Sequence, residues 1–126
     1  MKKIIFTDKA PAPIGPYSQA VVAGNMLYTS GQIALHPETG ELVTGDIETE
    51  TKQVMENMKA VLDAAGTTFE NVIKTTIFIS NMDDFTKING VYGAYFNEKT
   101  APARETVQVA KLPKNVNVEI SMIVAL

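Results

Sequence analysis

Cysteine is absent from all 126 residues, which excludes disulfide scaffolds, thiolate metal sites, thiol nucleophiles and thiol-based redox chemistry together. Histidine occurs once, as His36, within a Pro/Gly-rich stretch from His36 to Gly45. A cluster of imidazoles for a metal is therefore out of reach, and a histidine-dependent triad would have to use that loop residue. The chain has no GxGxxG, no Walker-type loop and no GxSxG around any serine. Long apolar runs are missing as well. The N-terminal MKKIIFTDKAPAP holds three apolar residues in a row, Ile4 to Phe6, far short of a signal-peptide core, and no stretch approaches a membrane span. The expected address is the cytoplasm, with no membrane partner. Positive charge is in short supply, with 11 Lys and Arg against 14 Asp and Glu, a net charge of -3 and a pI near 5.1. Nucleic-acid binding rests on clustered Lys and Arg, so small ligands are favoured and an RNA-directed nuclease conflicts with the charge.

What is present suits one domain, residues 1–126. With 45% hydrophobic and 20% charged residues the chain can bury a core. Ala10 to Pro16 packs three prolines and a glycine into a rigid lead-in loop that delivers Tyr17. Ser18 to Ala23 and the apolar run Met26 to Leu35, joined at Gly24-Asn25, predict a β-hairpin. Ile47, Thr51, Val54, Met58, Val61, Leu62 and Ala65 share one helical face, with Asp46 as N-cap, Glu48 and Glu50 in the first turns and Gly66 as a left-handed stop. Val72 to Ser80 alternates as a strand. Ser80 and Asp83 then resemble a capping signal for a second helix, whose apolar stripe is Phe85, Ile88, Tyr92, Tyr95 and Phe96. Arg104–Ala110 and Val116–Ala125 predict two more strands, joined by a turn through Lys111–Asn115. In the last, Val116, Val118, Ile120, Met122 and Val124 share a face. The fold class is α+β, with two helices covering one face of a mixed sheet. The other face carries polar residues among apolar ones and needs a partner, for which oligomerisation is the simplest source.

Few residues are left to carry chemistry. Arg104 opens a strand just after a bend at Pro102, and its planar fork of donors suits a carboxylate, although the residue type also suits an ordinary surface position. Glu119 lies on the polar side of a strongly apolar strand, where a carboxylate is costly unless paired or used. A turn centred near Pro113 would put it on the strand adjacent to Arg104, in a site or in a structural ion pair. Tyr17 offers an aromatic wall with a hydroxyl, Ser30 a hydroxyl, Gly31 a close backbone approach, and Asn89 a helical amide beside the apolar stripe.

These residues stand inside longer blocks. APAPIGPYSQA, TSGQI at Thr29–Ile33, NMKAVLDAAG and PARETVQVAKLPKNVNVEISMIVA resemble, in order and over nearly the whole chain, the Rid (YjgF) family of reactive-intermediate deaminases. The resemblance implies a chorismate-mutase-like fold assembled as a homotrimer, with sites in clefts between subunits and no cofactor. It implies that Arg104 grips the carboxylate of 2-iminobutanoate or 2-iminopropanoate, released by pyridoxal-phosphate enzymes such as threonine dehydratase. Glu119 would position the attacking water, and Tyr17, Ser30, Gly31 and Asn89 would line the pocket. Family members often carry P-x-R-S-C-V, whereas here Glu105, Thr106 and Val107 follow Arg104. Thr106 stands where the cysteine would be, with backbone groups still able to bind ligand. Glu105 should point away from Arg104 unless a bulge breaks the alternation. The alternative expectation is a small-molecule or 2-oxo-acid binding protein of the same fold without turnover.

Overall fold

The computed structural model describes all residues from Met1 to Leu126. Its strands are β1 (Lys2–Ile5), β2 (Ala20–Ala23), β3 (Met26–Thr29), β4 (Val72–Ile79), β5 (Ala103–Gln108) and β6 (Val118–Ala125), and its two α-helices are α1 (Ile47–Ala64) and α2 (Phe85–Gly93). The strands form one mixed sheet in the order β1-β2-β3-β6-β4-β5. Both helices lie on one face, so the architecture is α+β with a single core.

Helix α1 follows directly from its pattern. Val54, Met58, Val61 and Leu62 are buried, while the Asp46 carboxylate accepts the Thr49 N–H at 2.8 Å. That bond satisfies one of the free donors of the first turn. Gly66, at φ 75°, ends the helix in the left-handed region where a Cβ would be strained. The core continues into β6, where Val118, Ile120, Met122 and Val124 are buried and the intervening residues are half-exposed on the opposite, open face.

Three expectations need correction, and one strand is new. The Arg104 and Val116 segments are not a hairpin. The β4–α2–β5 segment is a crossover unit, and its helical connection is long enough to lay β5 parallel to β4, Thr75 beside Arg104. β6 then takes the other edge of β4, antiparallel, with Phe78 beside Glu119. Thus β4 separates the two strands that the sequence predicts to be adjacent. Second, β3 ends at Thr29. Beyond it the chain touches β6 through one bridge, Gln32 to Ile120, and is tied to α1 by Asn57 Nδ2, which donates to the Ile33 and Leu35 carbonyls at 3.1 and 2.9 Å. Third, Asn81 and not Ser80 caps the turn before α2, its side chain accepting the Asp83 N–H at 2.9 Å; Ser80 instead donates to Asn117 Oδ1 at 3.0 Å. The new strand is Lys2–Ile5, formed because β2 offers it a free edge.

The open face is not uniformly polar. Across one row of the register lie Ile4, Val21, Tyr28 and Ile123, with Ile4 51% and Tyr28 46% exposed. Lys74 and Glu105 pair there at 2.9 Å. Glu105 therefore faces away from Arg104 as alternation predicts, and β5 carries no bulge that would bring the two together.

Candidate active site

Glu119 occupies the open face of β6, half-buried and without a hydrogen-bonding or ionic partner. Burial raises its carboxyl above the ordinary value of 4.5, because the charged form loses water and gains no compensating donor. The carboxyl group lies directly against Gly31. A Cβ at position 31 would stand 2.7 Å from Glu119 Cδ and 2.7 Å from Oε2. Glycine therefore lets the Glu119 carboxyl group sit against the backbone in this position, where any larger residue would displace it.

The walls around Glu119 come from three segments. Tyr17, Ser30, Gly31 and Glu119 line a single cleft of about 350 Å³. Gln19 builds much of it. Its buried side chain donates to the carbonyls of Thr7 and Pro11 at 2.9 and 3.0 Å and accepts the Thr7 N–H at 2.7 Å, holding the proline-rich loop against the sheet. Ser30 donates its hydroxyl to the Ser18 carbonyl at 2.6 Å, which fixes the position of Tyr17 next door. Lys114 also lines the cleft, from a loop in which it and Asn115 both adopt left-handed backbone, at φ 55° and 56°. Sequence reasoning passed over Lys114 and Gln19. The Lys114-Asn115 pair carried a turn signal but nothing that aimed it at this cleft.

Arg104, Asn89 and Thr106 are gathered elsewhere. Arg104 shares the helix-covered side of the sheet with its register neighbour Thr75 and projects at the β5 edge beside α2. Its Nη1 donates to Asn89 Oδ1 at 2.6 Å, and its Cζ lies 5.2 Å from the Tyr92 ring centroid and 5.5 Å from that of Phe85. No carboxylate neutralises it; the chain's one ion pair is Lys74–Glu105. Most of its donors are left free for a ligand. Thr106, two residues along the same face, has a buried Oγ1 with no hydrogen-bond partner, a rare condition that a ligand group would relieve. Within one copy of the chain, then, Tyr17, Ser30, Gly31 and Glu119 form one group and Arg104, Asn89 and Thr106 another, on opposite faces of the sheet.

A family model described as endoribonuclease L-PSP matches residues 7–126. The chain belongs to the Rid family. It is 54% identical to a RutC family protein of Pyrococcus horikoshii over 98% of this chain and 97% of that one. It is 47% identical to the 2-iminobutanoate/2-iminopropanoate deaminase of Escherichia coli, again over 98% and 97%. Among solved structures, a Rid family protein of unknown function from Yersinia pestis superposes with a TM-score of 0.97 at 48% identity, covering 100% of both chains. Escherichia coli TdcF, solved with bound serine, superposes with a TM-score of 0.92 at 46% identity, covering 98% of each.

Proposed function

We propose that this Rid protein hydrolyses small 2-imino acids, such as 2-iminobutanoate and 2-iminopropanoate, to 2-oxo acids and ammonia, without a cofactor, in sites built between the copies of a homotrimer. The observation that carries the reading is the pair of unpartnered charged groups: a guanidinium held with its donors free, and a half-buried carboxylate with a raised pKa. The names of deaminase relatives support it. Arg104 receives the substrate carboxylate in a bidentate, charge-assisted contact, and the Thr106 hydroxyl supplies a further hydrogen bond. Glu119 takes a proton from a water whose oxygen adds to the iminium carbon. Glu119 passes that proton to the nitrogen of the resulting carbinolamine, the C–N bond breaks as the hydroxyl gives up its own proton to become the 2-oxo group, and the departing ammonia takes up that proton and leaves as ammonium. An iminium carbon is already electrophilic, so orienting the water and holding the substrate supply most of what the reaction needs.

Because Arg104 and Glu119 leave opposite faces, one copy does not bring them together. The apolar row Ile4, Val21, Tyr28 and Ile123 supplies a surface on which a second copy packs its sheet, with Arg104 of one copy reaching the Glu119 cleft of the next. A binding role without turnover is favoured by one observation, the serine bound to TdcF, since an amino acid presents the same carboxylate to such a site. Turnover separates the two. Accelerated release of 2-oxobutanoate, when threonine and a threonine dehydratase generate the imine, is the outcome this reading requires.

A further inference from the structure

Arg104 extends from the outermost strand of the sheet and is exposed, a position in which an arginine ordinarily samples many rotamers and loses that freedom on binding. Here it is already fixed, by groups that leave its donors available. We propose that Phe85 and Tyr92 form an aromatic bracket that positions the Arg104 guanidinium for the substrate carboxylate. The inference rests on the assignment of Arg104 as the carboxylate clamp.

The geometry is a closed circuit. Arg104 pairs in register with Thr75. The Thr75 hydroxyl and the Tyr92 hydroxyl share a hydrogen bond of 2.8 Å. The Tyr92 ring then returns to the Arg104 guanidinium at 5.2 Å, with Phe85 contributing a second ring at 5.5 Å. Both distances fall inside the roughly 6 Å within which a cation feels the negative face of an aromatic ring. Tyr92 itself has little room to move, being 5% exposed and packed on Phe96 at a centroid distance of 4.8 Å. Burial also raises its phenol above the ordinary value of 10.0, so the ring stays neutral.

The choice of partner is what makes the bracket functional. A carboxylate placed beside Arg104 would fix it equally well, but would consume two N–H donors and cancel the charge that the substrate must find. A ring face attracts the cation and takes no donor. Asn89 takes one donor, on Nη1. The remaining edge of the guanidinium is oriented, charged and free. Phe85 and Tyr92 are positioning residues in this scheme; neither touches the reacting atoms.

The test measures the dissociation constant of 2-oxobutanoate by calorimetry for Phe85→Leu, Tyr92→Leu and Tyr92→Phe, each also in an Arg104→Ala background, and KM and kcat in the imine assay for the three single variants. Loss of either ring should weaken 2-oxobutanoate binding and raise KM by about 2- to 5-fold, leaving kcat unchanged. Tyr92→Phe should restore most of the affinity, because the ring is retained. In the Arg104→Ala background, where the weakened binding is read by calorimetry at high 2-oxobutanoate concentration, the leucine substitutions should have no further effect, which a general loosening of the fold would not produce. Phe85 is only partly buried, so Phe85→Leu decides the matter if Tyr92→Leu fails to fold. Parent-like binding by the leucine variants, beside strongly weakened binding in Arg104→Ala, would overturn the bracket and leave the clamp standing. An equal loss with and without Arg104 would also overturn it. Parent-like binding by Arg104→Ala would instead remove the clamp itself.

Discussion

Arg104 and Glu119 are carried by strands on either side of β4 and leave the sheet on opposite faces. On the proposed reading, a substrate held by one and attacked by water from the other lies between two copies of the chain, and this has a direct consequence for mixtures of variants. Arg104→Ala and Glu119→Gln should each be inactive alone. Unfolded together and refolded, they should recover activity, since about one quarter of the sites in randomly mixed closed trimers would combine an intact Arg104 with an intact Glu119. Activity that stays at the level of the separate variants would place both residues in a site made by one copy.

Gly31 makes a prediction of its own. Adding a methyl group there would bring it 2.7 Å from the Glu119 carboxyl group, closer than nonbonded atoms tolerate. The carboxylate is the movable end of a side chain, so it should swing aside with the fold intact. Gly31→Ala should then lose about 100-fold in kcat, the scale expected when a reacting group is misplaced by an ångström or so, while its circular dichroism and thermal transition stay close to those of the parent.

The raised carboxyl of Glu119 couples both activity and stability to pH. As a base it must be ionised, so kcat/KM should fall on acidification through a midpoint above the ordinary carboxylate value of 4.5. For stability the sign is set by proton binding: the folded state holds the Glu119 proton to higher pH than the unfolded state does. Its contribution is fully present below 4.5 and is lost as pH rises through the higher folded value. Glu119→Gln should therefore melt at a higher temperature than the parent at pH 7, and the difference should shrink toward pH 4. A melting difference independent of pH would show that the carboxylate is not desolvated.

Much of this could be read from the chain, though unevenly. The α1 stripe, its Asp46 cap and the alternation of β6 are local patterns, and each appears in the structure as the sequence predicts. Strand pairing is not local. The β5–β6 hairpin was a natural expectation from two strand-like segments with a turn between them, yet the α2 crossover places β5 beyond β4. The faces of Arg104 and Glu119 follow from that pairing. Gly31 stands out in the sequence as a glycine in a strand-like run, but nothing local shows that the Glu119 carboxyl group lies against it. Phe85 and Tyr92 looked like core positions of a helix, and their relation to Arg104 exists only once β5 lies alongside β4.

Glu50 shows the same limit from another side. In sequence it is a favourable first-turn residue of α1. In the structure it is 5% exposed and accepts hydrogen bonds from the Asn117 N–H at 2.7 Å and from Asn117 Nδ2 at 2.8 Å, anchoring the start of β6 two residues before Glu119. Glu50→Ala would strand both donors, and should lower the unfolding free energy by about 3 kcal/mol, the range for buried hydrogen bonds to a charged group. Denaturant titration measures that loss, and faster amide exchange at Asn117 would locate it.

The most direct measurement is the rate of 2-oxobutanoate release from threonine and a threonine dehydratase, with semicarbazide present to trap free imine, comparing the parent protein with Arg104→Ala. Faster release with the parent, lost in a variant that still folds and assembles, is the result that imine hydrolysis at an Arg104 clamp predicts. Release no faster with the parent than without protein would contradict it, leaving a site that binds small carboxylates without turning them over.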